Sequence, residues 1–200
     1  PTFAMLSKAQ KAIYMEMYIF ETRTEKFDFF TLLKEKAREW VEIKIILDSF
    51  GSMKISTSDI RDLQKEWVEI LYISHLFHRA HRKILIVDEK IAFIWWVNFH
   101  AQSRFWNDIM IRIEWKLVKN ILLSFIRSYA NAWGKDAYFI TRRKQKIKEK
   151  IRAWVIDQFP FKKILNFQKI YKNRISKAKT SITLLTPYFM PNRDLAALLH

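Results

Sequence analysis

Short apolar runs alternate with amphipathic segments over the first third of the chain. The runs at 12–20, 41–47 and 68–73 are rich in β-branched and aromatic residues, as β-strands are. Between them, 27–39 and 58–66 carry apolar residues at helical spacing. This βαβαβ order predicts an α/β fold with a largely parallel sheet and covering helices.

Two short apolar runs in the middle of the chain have the spacing of a β-hairpin. They lie at 84–87 and 91–94, and residues 88–90 (DEK) between them are types that a turn tolerates. A further strand is predicted over 108–114. Apolar residues then recur at helical spacing over 117–131, which predicts an amphipathic helix packed on the sheet. We expect this helix to close the first domain.

The rest of the chain predicts a basic linker and the start of a second domain. Residues 141–152 (TRRKQKIKEKIR) are dense in Lys and Arg, which indicates a solvated helix or linker, or a surface for phosphate headgroups. The tripeptide Ser-Lys-Ala at 7–9 recurs at 176–178, each time ahead of an apolar run. The predicted parts are a first domain over 1–137, a basic linker over 138–165 and a second domain over 166–200 that we expect to be truncated.

Composition narrows the choice of partners and of chemistry. A formal net charge of +16 and a pI near 10 favour anionic partners, either nucleic acid or acidic phospholipid headgroups. The absence of cysteine excludes disulfides, thiolate nucleophiles and thiol-ligated zinc. No apolar stretch reaches the roughly 18 residues that cross a bilayer, so we expect any membrane contact of this segment to be peripheral.

The candidate chemistry lies around the predicted hairpin. The pattern H-x-K-x-x-x-x-D runs from His81 through Lys83 to Asp88, and Asn98 follows the second hairpin strand. Because residues two apart on a strand share a face, His81 and Lys83 should project together. A neutral imidazole can attack phosphorus to form a phosphohistidine while a lysine neutralises the phosphate oxygens. Asp88 is a candidate to orient a histidine, and Asn98 is a candidate to donate an amide hydrogen bond to the same phosphate.

Two plainer interpretations of the histidines compete with catalysis. His81 and Lys83 could be a structural pair, although the apolar strand behind them and the return to Asn98 favour the catalytic interpretation. His75 and His78 precede the motif, but no carboxylate stands at ligand spacing, so loop or substrate-contact roles are favoured over a metal site. We therefore expect neither a metal nor another cofactor.

These residues resemble the HKD signature of the phospholipase D superfamily, and the segments around them are similar to those of bacterial cardiolipin synthases. The similar segments are 16–20 (EMYIF), 48–52 (DSFGS), 106–108 (WND), 112–114 (RIE) and 186–191 (TPYFMP), the last being similar to the opening of the second half in those enzymes. The resemblance implies a phospholipase D-like fold with a mixed, largely parallel sheet flanked by helices. The first lobe would be complete and the second truncated.

The resemblance also implies a mechanism and a place of action. In such enzymes two HKD motifs meet at one site without metal. One histidine is the nucleophile while the other protonates the leaving group, so His81 could hold either role. One such motif is present here, so the second histidine is expected at about position 250, in a missing second half. The implied activity is cardiolipin synthase-like transfer of a phosphatidyl group, on a phosphatidylglycerol-like phospholipid at the anionic surface of a bacterial cell membrane.

Two other functions stay open. One is a nuclease or phosphodiesterase of the same superfamily that pairs two single-motif chains, but the segment at 186–191 argues against it, so nucleic acid is not the expected partner. The other is a catalytically inactive relative that binds lipid or nucleic acid. Trp95 and Trp96 would favour this second alternative if they are genuine, because the family has Gly-Gly at their positions.

Tryptophan is frequent and glycine is rare in the chain, with eight residues against two. Trp40 and Trp67 each follow a predicted helix and precede the same strand opening, Val-Glu-Ile, at a position where a left-handed backbone usually requires glycine. Trp115 occupies a turn where the family usually has glycine. Our hypothesis is that several tryptophans are UGA codons that the source organism decodes as glycine. It assigns UGA to Trp40, Trp67, Trp95, Trp96 and Trp115, and UGG to Trp106, and leaves Trp133 and Trp154 unassigned.

Overall fold

The computed structural model describes residues 2–73, 81–95, 98–99, 109–145, 165–184 and 190–199. The chain divides into two compact units, 1–155 and 156–200. The helices and strands follow one another in the order α1 (Thr2–Leu6), β1 (Ala12–Met17), α2 (Phe29–Arg38), β2 (Glu42–Asp48), α3 (Thr57–Lys65), β3 (Glu69–Ile73), β4 (Ile84–Val87), β5 (Ile91–Ile94), β6 (Ile111–Glu114), α4 (Lys116–Asn131), α5 (Ala137–Arg142), α6 (Leu165–Ile175) and α7 (Arg193–Leu199).

The described strands of the first unit form one six-stranded mixed sheet in the order β3-β2-β1-β4-β5-β6. The strands β1, β2 and β3 run parallel and are joined by α2 and α3. The strands β4, β5 and β6 are added beside β1 through antiparallel pairings. The predicted α/β fold with a mixed sheet is therefore confirmed. The parallel part ends at β1, because the hairpin enters the sheet in the antiparallel sense.

The hydrophobic pattern located most element boundaries to within one or two residues. The hairpin strands β4 and β5 have the predicted limits, and α4 begins one residue before the predicted helix at 117–131. The strand predicted over 108–114 is present as β6 but begins only at Ile111; residues 109 and 110 precede it outside the strand, and residue 108 lies outside the described ranges. The strand predicted over 12–20 ends at Met17, beyond which Phe20 forms an isolated bridge with Phe99.

Strand alternation divides the core into a layer on each face of the sheet. Ile13 and Met15 of β1 belong to the layer that includes Leu33 of α2. Tyr14, between them in sequence, belongs to the other layer and stacks on Phe125 of α4 with ring centroids 5.6 Å apart. Because both faces of the sheet are covered, the positions left for polar chemistry are the ends of the strands.

Helix α5 belongs to the first unit. Its Phe139 is fully buried in the α4 layer, with its ring centroid 5.1 Å from that of Tyr14. A buried ring is part of the core into which it packs, so the first unit extends past the predicted domain limit at residue 137. Residues 146–164, which make up most of the predicted basic linker, lie outside the described part of the chain.

The second unit repeats a helix end of the first. At the end of α1, Ser7 donates from its backbone N–H and its hydroxyl to carbonyls four and three residues earlier, and Ala9 donates to the carbonyl three residues earlier. At the end of α6, Ser176 and Ala178 make the same three hydrogen bonds. The internal similarity seen in the sequence thus extends to backbone geometry. Residues 181–184, which correspond to the start of β1, are not assigned to a strand.

Candidate active site

The candidate site lies at the edge of the sheet where four strand ends meet. Strands β1 and β2 are parallel, so Tyr18, after β1, and Asp48, at the end of β2, lie at the same edge. Strand β4 is antiparallel to β1, so its amino end brings His81 and Lys83 to that edge. Strand β5 returns antiparallel to β4 and leads to Asn98. Side chains from distant parts of the sequence are therefore gathered by the order of the strands.

His81 and Lys83 form a close pair. The Nζ atom of Lys83 lies 3.0 Å from both ring nitrogens of His81 and donates to the His81 carbonyl oxygen at 3.3 Å. Lys83 is 2% exposed, whereas His81 keeps an exposed face. Arg82, between them, points to the other side of the sheet and donates to the hydroxyls of Ser124 and Ser128 in α4. The structure thus brings the imidazole and the ammonium together.

The environment of His81 favours its neutral form. Partial burial, reinforced by the Lys83 ammonium, lowers the pKa of His81 to about 4, while the Asp48 carboxylate acts in the opposite direction. The ordinary pKa of a histidine is near 6.5, so the surroundings of His81 disfavour its imidazolium form. The imidazole is therefore mostly neutral at pH 7 and has a lone pair available on one nitrogen.

Two residues for which the sequence pattern assigned no role contribute to the same edge. The ring of Tyr18 lies 4.7 Å from the His81 ring, at an interplanar angle of 58°, and the Lys83 ammonium lies 5.5 Å from its centroid. The buried Asp48 carboxylate accepts two backbone N–H groups of the following loop at 2.9 and 3.0 Å. A polar side chain directly after a buried parallel strand is the sequence signal for both, because α/β sheets bind ligands at that edge.

Asn98 is buried at the same edge. Its Oδ1 atom accepts the backbone N–H of Ile19 at 3.2 Å, which attaches it to the end of β1. With the oxygen bonded to a backbone donor, the amide NH₂ is the group that Asn98 can offer to a phosphate oxygen.

Trp95 lies in the core. It is 6% exposed and stacks on Phe99 with ring centroids 5.2 Å apart. Its Nε1 atom is buried and has no hydrogen-bond partner among the described residues, which is an unfavourable arrangement for an indole N–H. Trp96 and residues 106–108 lie outside the described ranges.

Asp88 lies at the opposite edge of the sheet. Its carboxylate accepts the backbone N–H groups of residues 10–12 at 2.7 to 3.1 Å, and its own N–H donates to the Ala12 carbonyl. The whole length of β4 separates it from His81, so the prediction that Asp88 orients this histidine is wrong. The carboxylate instead attaches the hairpin turn, in which Asp88 and Glu89 both have φ of 54°, to the start of β1.

The described residues hold neither a metal-binding cluster nor a membrane-spanning helix. Within those ranges no group of three or more His, Cys, Asp or Glu side chains is placed to hold a metal ion. His75 and His78 lie outside them, as do residues 186–189 of the predicted second-half segment. No helix in the described part of the chain is long and apolar enough to cross a membrane.

Solved structures have a similar fold. Nuc from Salmonella typhimurium, described as a phospholipase D family member, matches 66% of this chain and 83% of its own with a TM-score of 0.51 and 21% sequence identity. NucT from Helicobacter pylori matches 64% of this chain and 85% of its own with a TM-score of 0.54 and 17% identity. At such identities the likeness establishes the fold alone, which is that of the phospholipase D class.

The sequence gives the family within that class. The model of the family described as "Cardiolipin synthase, PLD-like domain" matches residues 3–129, and the chain belongs to this family. Cardiolipin synthase of Halalkalibacterium halodurans is 26% identical over 99% of this chain and 44% of its own length. Probable cardiolipin synthase YwiE of Bacillus subtilis is 28% identical over 96% and 42%. The resemblance seen in the sequence is confirmed, and the chain spans less than half the length of these relatives.

Proposed function

We propose that this chain supplies the first half of the active site of a phosphatidyltransferase that works through a phosphohistidine. The proposal is carried by the pairing of a neutral imidazole with a buried ammonium 3.0 Å away. A phosphodiester is an anion, so the Lys83 ammonium attracts it, while the neutral His81 ring presents a lone pair to its phosphorus. The lowered pKa favours the nucleophile role for His81 over the role of leaving-group acid, because at neutral pH such a ring is not the imidazolium that would give a proton to the leaving group.

The reaction proceeds in two displacements. In the first, a ring nitrogen of His81 forms a bond to phosphorus as the bond from phosphorus to the leaving alcohol oxygen breaks. Lys83 and the Asn98 amide hold the non-bridging oxygens as charge shifts onto them. In the second, an acceptor alcohol attacks the same phosphorus and gives its proton to the group that protonated the first leaving alcohol, and His81 is released neutral.

A second proton-transferring group is required on the far side of the phosphorus. Because the displacement is in line, the leaving oxygen departs opposite to His81 and must be protonated there. One imidazole cannot serve both sides at once. We therefore assign that role to a second histidine, expected at about position 250 in a downstream half.

The substrate is proposed from the relatives and from charge. The similar proteins are named cardiolipin synthases, which favours a phosphatidylglycerol-like donor and an alcohol acceptor on a second phospholipid. The net charge of +16 favours attachment to an anionic membrane surface, with each nearby Lys or Arg contributing about 1 kcal/mol. A bacterial membrane surface with peripheral attachment of this segment fits both features.

The test uses the protein completed with its downstream half and vesicles of phosphatidylglycerol. We expect phosphatidyl transfer, its loss in His81→Ala with an unchanged circular dichroism spectrum, and a rate unaffected by chelators. Asp88→Asn is a matched control at the opposite edge of the sheet and should retain transfer if it folds. Cleavage of DNA with no turnover of phospholipid would show that the protein is a nuclease and not a phosphatidyltransferase. A folded protein that lacks both activities would support the alternative that the chain belongs to a catalytically inactive relative.

A further inference from the structure

We infer that Tyr18 is a positioning residue for His81 and Lys83 and that the loop at 48–52 holds it in place. The inference rests on the proposed function, because it concerns the same site. Its main readout is the ionisation of His81, which can be measured without turnover.

The Tyr18 ring contacts both members of the pair. Its centroid lies 4.7 Å from that of the imidazole and 5.5 Å from the Lys83 ammonium, so one aromatic surface adjoins the nucleophile and the cation. A cation is attracted to the face of an aromatic ring, which helps to hold the Lys83 ammonium beside His81. The ring also excludes water from one side of the imidazole, and this exclusion favours its neutral form.

The loop after β2 fixes Tyr18 by a contact that glycine alone permits. A Cβ atom added to Gly51 would lie 2.3 Å from the Tyr18 carbonyl oxygen and 2.9 Å from its Cδ2 atom. The Ser52 hydroxyl donates to the same carbonyl at 2.9 Å. The buried Asp48 carboxylate accepts the Gly51 N–H at 2.9 Å and so keeps the loop closed.

A chain of contacts therefore runs from the loop through Tyr18 to His81. Removing the ring should admit water to the imidazole and raise the pKa of His81 toward its ordinary value. Of the charged groups, Lys83 lowers the pKa of His81 and Asp48 raises it, so an ammonium that loses the ring and moves away from the imidazole adds to the same upward shift. The shift then reports the loss of the aromatic contact.

The experiment measures the pKa of His81 by NMR in the full protein labelled at its histidine rings, with His81→Gln to assign the signal. Tyr18→Ala should raise this pKa by about 1 unit or more, and Tyr18→Phe should leave it unchanged. Gly51→Ala should raise it too, since it displaces Tyr18 without touching the histidine. Tyr138→Ala is the matched control, because the Tyr138 hydroxyl binds Glu89 in the hairpin turn at the other edge.

Transfer assays add a second readout. Tyr18→Ala should lower kcat more than it raises KM, and Tyr18→Phe should restore the rate. An unchanged pKa in both Tyr18→Ala and Gly51→Ala would overturn the inference, as would equal effects of Phe and Ala at position 18. A protein that shows the pKa shifts but has no transferase activity would refute the proposed function and leave the positioning role intact.

A second inference rests on backbone geometry alone. We infer that glycine is the natural residue at four positions where the chain has tryptophan. All four have φ between 63° and 68° and side chains that are 85% to 91% exposed. They are Trp40, Trp67, Trp115 and Trp133.

Three of the four end a helix in the same way. After α2, α3 and α4, the residue that follows the tryptophan donates its N–H to a carbonyl five residues earlier, at 3.0, 3.1 and 3.0 Å. This is the Schellman motif, in which the left-handed residue is usually glycine. Trp133 is among these three. The hypothesis made from the sequence left it unassigned, and this motif adds it to the positions proposed to be glycine.

The backbone conformation at the fourth position, Trp115, is even less accessible to a residue with a side chain. It precedes α4 with φ 68° and ψ −144°, near a region that glycine populates almost exclusively. The exposed indoles make little buried contact that would compensate for such strain. Trp95 is different, because it is buried and is not among the positive-φ residues, so its backbone gives no reason for glycine.

The coding DNA and the peptide masses of the protein isolated from its source organism test this inference. We expect UGA at codons 40, 67, 115 and 133, and glycine in the corresponding peptides. UGG codons, or peptides that contain tryptophan at these positions, would overturn it.

Discussion

Replacing Trp40 by glycine should stabilise the protein, although it removes a large side chain. A left-handed backbone costs a residue with a Cβ atom about 1–2 kcal/mol, and glycine avoids this cost. The indole is 91% exposed, so little buried area is lost. The greater freedom of glycine in the unfolded chain offsets about 0.5–1 kcal/mol of the gain. The expected net stabilisation is about 0.5–1 kcal/mol.

The effect should be repeated at the other positions. Trp67 and Trp133 have the same geometry, and Trp115 should gain more, about 1–2 kcal/mol, because its backbone region is more restrictive. If the sites are independent, the fourfold glycine variant gains about 2.5–5 kcal/mol. For a chain of this size that corresponds to a rise in Tm of roughly 5–20 °C.

The assay is urea unfolding followed by far-ultraviolet circular dichroism, since the substitutions remove the fluorophores that would otherwise report unfolding. The matched variant at each position is alanine, which removes the indole but keeps the Cβ atom and hence most of the backbone strain. We expect glycine to stabilise and alanine to have little effect. If alanine stabilises as much as glycine, exposure of the indole is the cause and the backbone argument is refuted.

Three further changes test other parts of the structure. Asp88→Asn should destabilise the protein by about 1–3 kcal/mol in urea unfolding, because it weakens the hydrogen bonds to residues 10–12. It should leave the pKa of His81 unchanged, and a large change in that pKa would restore the predicted role of Asp88 at the histidine. Phe139→Ala should destabilise the first unit by about 3–5 kcal/mol, and a negligible loss would place α5 outside that core. The rate of transfer should fall as the pH drops from about 6.5 toward about 4, because protonation of His81 removes the lone pair that attacks phosphorus. A rate that instead rises over this pH range would assign His81 the role of acid.

Local patterning accounts for much of the fold and for half of the candidate site. Alternation placed His81 and Lys83 on one side of a strand and Arg82 on the other, and the length of the hairpin brought Asn98 back to the same edge. These relations depend on residues near one another in sequence. A pattern of hydrophobic and polar positions contains that information.

The features that the sequence did not reveal depend on distant pairings. The spacing from His81 to Asp88 is compatible with a shared site until β4 is paired with β1, which places Asp88 at the backbone of residues 10–12. Tyr18 and Asp48 reach the histidine because β1 lies between β2, to which it is parallel, and β4, to which it is antiparallel. Hydrophobic spacing specifies an element but does not specify its neighbour or its direction in the sheet.

The central claim is that His81 forms a bond to phosphorus, and trapping that intermediate tests it most directly. The completed protein is mixed with a phospholipid labelled in its phosphate, quenched during turnover under alkaline conditions, digested and analysed by mass spectrometry. We predict an acid-labile phosphatidyl or phosphoryl group on His81, which is absent in His81→Ala. A label found only on another residue, or rapid turnover without any labelled His81, would contradict the account.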